Sequence, residues 1–302
     1  MTATTATTAT TTPHSSISPP RPPFDPALML VAPAAALMVM FFVYPFAYGL
    51  LLSFQPAQGG VFQNYIHFFQ TQELWKTIGN TMQLALPATF LNVACALAIA
   101  YATRIKGPYQ RLLSTLLVVP LTLGTVLIAE GMLTYFGPQG WLAQALRWLH
   151  LYEGSIRLTH NYWGVLISLI ITGFPFAYLL ILSYITGIDP ALPRAAATLG
   201  ADGWNRFRHI YLPLLTPGLV MAFCLSFVQA FSVFPSAVLL GSPGGTTRVI
   251  AIAAYEAAFE QYDYSLASAV AMIMGLAQLA IVVAALGLRS MFYRGPATGG
   301  KG

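Results

Sequence analysis

Charge is scarce in this chain. Asp, Glu, Lys and Arg make up 8% of its 302 residues, and hydrophobic residues 57%. A soluble globular protein carries about 25% charged residues. So little charge excludes a water-exposed surface and points to a polytopic membrane protein. Cysteine is nearly absent. Cys95 and Cys224 both fall inside apolar runs, so no disulfide framework is expected. His14, His67, His150, His160 and His209 are scattered without metal-ligand spacing. No nucleophile, base and acid constellation can be assembled. Gly295 to Gly302 comes near phosphate-loop spacing, but it ends in glycine and follows no strand. Enzymatic activity is therefore not expected. Nor does the net charge of +5 mark nucleic-acid binding, because the basic residues lie in short loops between apolar runs.

What the chain does have is six apolar runs, near 28–53, 78–102, 112–136, 162–186, 216–240 and 266–288. At about 1.5 Å per residue, each can cross the roughly 30 Å of a bilayer core. Backbone groups in lipid must be satisfied internally, so the runs are expected to be helices. The short alternating segments of a membrane barrel are absent. The expected fold class is all-α and polytopic, with about six transmembrane helices in a single domain over 25–302. Residues 1–24 are rich in Thr, Ala, Ser and Pro and are expected to form a disordered cytoplasmic tail. A cleaved signal peptide is not expected: a basic n-region is missing and the first apolar run is too long. With the N-terminus inside, ten Lys and Arg face the cytoplasm, and only Lys76, Arg147, Arg157 and Arg248 face out. That bias puts both termini and the loop around Arg194 in the cytoplasm.

Several residues stand out against the apolar runs. Glu130 is the only acid inside a span. Such residues face a bundle interior or a cavity, so it is a candidate for a cation site or solute path. A hydrogen-bonded structural Glu is the competing explanation. Gln229 and Ser232 are further path candidates, although polar side chains also join helices. Gly173-Phe174-Pro175 is expected to kink the fourth span. Toward the outside, Phe62 to Trp75 reads as an interfacial stretch, Gly137 to Asn161 as a loop, and Ile250 to Phe259 as a helix. The outer acids Glu73, Glu153, Glu256, Glu260 and Asp263 are available to a soluble partner or to cations.

The longest polar island between runs is 187–216. Asp189-Pro190 reads as a helix start. Ala195 to Leu199 continue that helix and Gly200 ends it. Asp202 caps a second short helix through Phe207 and Ile210, which Leu212-Pro213 and Pro217 are expected to break. Two short angled helices at a membrane surface suit being held by another protein.

This pattern resembles the EAA loop of binding-protein-dependent ABC importer permeases. There Glu-Ala-Ala is followed by three residues, Gly, about nine residues and Ile-x-Leu-Pro. Ala195, Ala196, Gly200, Ile210, Leu212 and Pro213 match, with Ala201 and Asp202 after the glycine. Arg194 stands where the family has Glu, which inverts the charge. The resemblance implies the six-span MetI-like fold of type I importers, of the polyamine and maltose kind, in a bacterial inner membrane. It implies a second permease subunit, identical or paralogous, and an external solute-binding protein. It also implies two cytoplasmic ATPase subunits that bind the ATP and Mg and grip the 187–216 loop. The span pattern resembles polyamine-type permeases more than sugar ones, so a polyamine-like organic cation is the expected substrate. Phosphonate, iron, thiamine and sugar importers have similar permeases. The alternative is an ion-coupled secondary transporter with Glu130 as its relay.

Overall fold

A computed structural model describes residues 26–56, 58–137, 140–148 and 159–292. The 1–24 tail, Glu153, Arg157 and the 295–302 stretch lie outside the described residues. The chain divides into two compact units, residues 1–48 and 49–302. The described part of the first holds α1 (Pro26–Met38), a π-helical turn, Val39–Val43, and the start of α2 (Tyr44–Ser53), which runs on past the boundary. The second unit continues with α3 (Gln63–Gln70), α4 (Gln72–Ala102), α5 (Pro108–Phe136), α6 (Trp141–Trp148) and α7 (Tyr162–Thr186). Next come α8 (Ala191–Thr198), α9 (Gly203–Arg206), α10 (Leu212–Phe231) and α11 (Pro235–Leu240). The last are α12 (Ile250–Tyr255) and α13 (Tyr264–Phe292). Six helices among the described residues are long and apolar enough to cross a membrane, one in each expected run.

The bundle is built on α4 against α7. Along α4, Thr77, Thr81, Ala85, Ala88, Asn92, Ala96 and Ala100 are all buried. They recur every three or four residues and are nearly all small. Lipid tails are as apolar as Leu, so helices in a membrane gain from close packing, which small residues permit. Gly173 of α7 shows how close that packing is. A Cβ there would lie 2.3 Å from Asn92 Nδ2. The Asn92 amide donates to the Leu169 carbonyl at 3.2 Å. α7 runs as one helix from Tyr162 to Thr186, continuous through Gly173-Phe174-Pro175 where the kink was expected. This glycine serves an approach between helices.

Four expectations change. The fifth run is not one helix over 216–240. It ends at Phe231, and α11 starts afresh at Pro235. Proline disfavours helical backbone in the residue before it, and Phe234 is displaced to φ −129°, ψ −61°. In the third run, Gly124 takes φ +75°, ψ 169° and splits α5 into two helical halves. The expected second short helix of 187–216 is the near end of a longer one, Gly203–Phe231. A π-helical turn, Phe207–Tyr211, lies just before Leu212-Pro213. The wider turn gives room to the carbonyls that the proline ring would otherwise strike, so Pro213 does not end the helix. The same arrangement precedes Pro45, after the turn at Val39–Val43. The 137–161 connection, read as loop, contains α6.

Candidate functional site

The 187–216 segment is built from local turn chemistry. Asp189 Oδ1 accepts from the Ala191 backbone N–H at 2.9 Å, at the entry to α8. At the exit Gly200 has φ +84°. Its N–H donates to the Ala197 carbonyl at 3.1 Å, and that of Ala201 to the Ala196 carbonyl at 3.0 Å. This is the Schellman arrangement, which satisfies carbonyls a helix end would leave bare. A Cβ on Gly200 would meet nothing within 4 Å. The glycine is required for its φ, not for space. Asp202 Oδ1 then caps α9 by accepting from the Asn205 N–H at 2.9 Å.

The segment presents a surface that its own chain does not use. α8 buries none of its residues. Arg194, Ala195, Ala197 and Thr198 are exposed, and Ala196 and Ala201 are half-buried. Arg194 makes no ion pair among the described residues. Leu199 is 87% exposed and Trp204 65%. Ile210 and Leu212 are half-buried, and Pro213 is exposed. Two large apolar side chains are thus held outward by a capped polar segment.

The cavity described at Glu130 does not include the other path candidates. Beyond Gly124, α5 turns Ile128, Ala129 and Met132 into the core, while Glu130 is exposed on another side. Glu130 lines an open cavity of about 400 Å³ with Leu127, Gly131, Thr134, Tyr135 and Trp141. Gln229 and Ser232 are not among its lining residues. Both are exposed, Gln229 on α10 and Ser232 in the break before α11. Ser232 Oγ accepts from Gln278 Nε2 of α13 at 2.7 Å. Gln278 escaped the sequence reading, although a lone amide in the last apolar run was its signal.

The acids expected at the end away from 187–216 are mostly occupied. Arg248 pairs with Glu73 at 3.5 Å and, more closely, with Glu256. The Arg248 side chain is only 19% exposed, where an unpaired charge would be costly. Its carbonyl accepts from Asn80 Nδ2 at 3.1 Å. Asp263 Oδ1 accepts from the Leu266 N–H at 2.9 Å and caps α13. Glu256 and Asp263 are thus engaged within the fold, which corrects the expectation that they stand free for cations or a partner, while Glu73 stays 81% exposed beside Arg248. Glu260 is exposed.

Comparison with known proteins gives three kinds of match. The family described as the binding-protein-dependent transport system inner membrane component matches residues 92–294. A probable sulfate transport system permease protein of Prototheca wickerhamii is 28% identical over 205 residues, covering 68% of this chain and 78% of that protein. A trehalose transport system permease protein of Mycobacterium tuberculosis is 26% identical over 260 residues, covering 82% and 83%. Among solved structures, a chain of a bacterial ABC transporter involved in import of the acidic polysaccharide alginate superposes with a TM-score of 0.76. It is 22% identical, and the match covers 88% of this chain and 95% of that one.

Proposed function

The chain belongs to the family of binding-protein-dependent transport system inner membrane components, and from this we propose that its 187–216 segment docks a cytoplasmic ATPase while Glu130 stands on the solute path. The protein is the permease subunit of an ABC importer, a multi-pass inner membrane protein whose ATP hydrolysis takes place in a separate subunit. An ion-coupled secondary transporter is thereby set aside. In our reading two permeases, identical or paralogous, enclose the path, two ATPase subunits grip the loops, and an external binding protein delivers the solute. The observation that carries the docking role is the exposed α8, closed by Gly200 and flanked by Leu199 and Trp204. Arg194, Ala195, Ala196, Gly200, Ala201 and Asp202 form the docking element, and Ile210, Leu212 and Pro213 join it to the fifth span. Arg194 is free to meet an acidic group on the ATPase in place of the family's own acid.

Docking requires the segment and both termini to face the cytoplasm. A cysteine at Thr198, with Cys95 and Cys224 replaced by alanine, tests this. A membrane-impermeant maleimide should label it in inside-out vesicles and leave it unlabelled in intact spheroplasts. Labelling of spheroplasts would overturn the orientation.

For the solute, the outer acids lend the polyamine lean little support. Glu73 and Glu256 are paired to Arg248, and Asp263 caps a helix. The two relatives described carry the names of sulfate and trehalose systems. Glu130 remains, an exposed carboxylate beside Tyr135 and Trp141. An acceptor of that kind in a membrane cavity favours a solute that donates hydrogen bonds, such as a sugar or an ammonium compound, and opposes a doubly charged oxyanion. Gln229 and Ser232, with Gln278, offer further polar contacts along the path. Trehalose, spermidine and sulfate serve as probes of Glu130→Gln in reconstituted importer. A hydrogen bond to a charged group contributes about 1.5–3 kcal/mol, so apparent affinity for the donor solute should fall roughly tenfold. Faster sulfate uptake would follow from the lost repulsion and keep Glu130 on the path, whereas no change with any probe would remove it.

A further inference from the structure

α8 buries none of its residues, so force applied to it must enter the bundle elsewhere. One route is covalent, through α9 into α10. A second is a side-chain corner at the end of α4. Tyr101 Oη donates to the carbonyl of Gly203, the first residue of α9, at 3.3 Å. Its ring meets Phe207 edge-on at 4.7 Å and Tyr211 at 5.2 Å between centroids. Both partners lie in the π-helical turn that joins α9 to α10. The Arg104 guanidinium lies 4.1 Å from the Tyr101 ring centroid and 5.7 Å from that of Tyr211. Arg104 Nη1 also donates to the Tyr101 carbonyl at 2.6 Å. The cation thus grips the ring from α4's own chain and spans the gap to the turn.

The corner has two further connections. Exposed Trp204 packs on Phe207 with ring centroids 5.7 Å apart and planes tilted by 30°, so a row of rings runs from the docking surface through Phe207 to Tyr101. On the bundle side, Thr103 and the fully buried Tyr178 of α7 share a hydrogen bond of 3.0 Å between their hydroxyls. Only residues 103–107 separate α4 from α5, whose first half ends at the Gly124 break.

We propose that Tyr101 and Arg104 are positioning residues that lock the start of the fifth span to the end of α4, so that the docking segment and the first half of α5 move as one body. The proposal rests on the reading of 187–216 as the ATPase docking segment. Without the lock, a push on α8 would travel along α10 alone. With it, the push also reaches α4 and, through the 103–107 link, the part of α5 before Gly124.

Two spin labels test this, one on a cysteine at Thr198 of α8 and one at exposed Leu116 of α5, with Cys95 and Cys224 replaced by alanine. Electron–electron double resonance reads the distance in purified protein and in the assembled importer with ATP and vanadate. The unaltered corner should give a narrow distribution whose centre moves by less than about 2 Å between the two states. Tyr101→Ala and Arg104→Gln should at least double its width without nucleotide. They should also raise ATP turnover in the absence of binding protein about threefold or more, with the ATPase subunits still co-purifying. Tyr101→Phe keeps the ring and should stay near the parent, which guards against a variant that simply fails to fold. A distribution in Tyr101→Ala as narrow as the parent's would overturn the lock, as would loss of the ATPase from that variant, which would make Tyr101 part of the docking surface. The nucleotide-free distance needs no ATPase, so its failure is distinguishable from failure of the docking reading.

Discussion

Gly200→Val strips the ATPase from the purified permease while the permease still folds and inserts. The position has φ +84° and open space around its Cβ, so any effect comes from the backbone. An L residue in this left-handed region costs about 1–2 kcal/mol, and a β-branched one is worse placed still. The chain escapes by releasing that φ. Both bonds that close α8, from Gly200 to Ala197 and from Ala201 to Ala196, go with it. Leu199 and Trp204 then lose their fixed relation across the turn. About 1.4 kcal/mol is a factor of ten in binding, so recovery of ATPase subunits on a tagged permease should fall roughly tenfold or more. Gly200→Asn is the control. Asn tolerates the left-handed region, and this variant should keep most of the partner. Equal recovery with Val and Gly would show that the turn does not shape the docking surface.

Gly173→Ala should do its damage inside the bundle. The added carbon would sit 2.3 Å from the Asn92 amide nitrogen, and that amide is committed to the Leu169 carbonyl. Either α4 and α7 separate or Asn92 turns away and gives up its bond. Overpacking of this kind costs about 1–3 kcal/mol, with a stranded buried polar group adding about 1–3 kcal/mol. The thermal midpoint in detergent should drop by roughly 5 °C or more. Asn92→Ala in the same chain removes the obstacle. The pair should therefore cost less than the sum of the two single changes. Strict additivity would mean that the two helices do not meet as described.

The features legible in the sequence were those with local causes. Span positions followed from hydrophobic runs, and the turns at Gly200 and Asp202 from residue chemistry one to three positions away. The breaks at Gly124 and Ser232–Phe234 were missed because one glycine or proline inside an apolar run also suits an unbroken helix. Pro213 misled in the opposite direction: it looked like a terminator, and the widened turn at Phe207–Tyr211 absorbed it. The pairing of Glu73 with Arg248 joins residues 175 positions apart, and Asn92 meets Leu169 across 77. Such pairings depend on how spans are arranged around one another. Neither the periodicity of one span nor its charge carries that information. This is why Glu256 and Asp263 looked free when they were not.

The unbroken course of Gly203–Phe231 has a mechanical consequence. Twenty-nine residues at about 1.5 Å each make a rod roughly 43 Å long. One end carries the cap at Asp202, and the other stops beside Ser232, where the hydroxyl meets Gln278. A lever of that length multiplies small angles. A tilt of about 10° at the docking end would sweep the far tip through roughly 7 Å, more than the pitch of one helical turn. A modest rocking of the ATPase would thus become a displacement on the scale of a small solute.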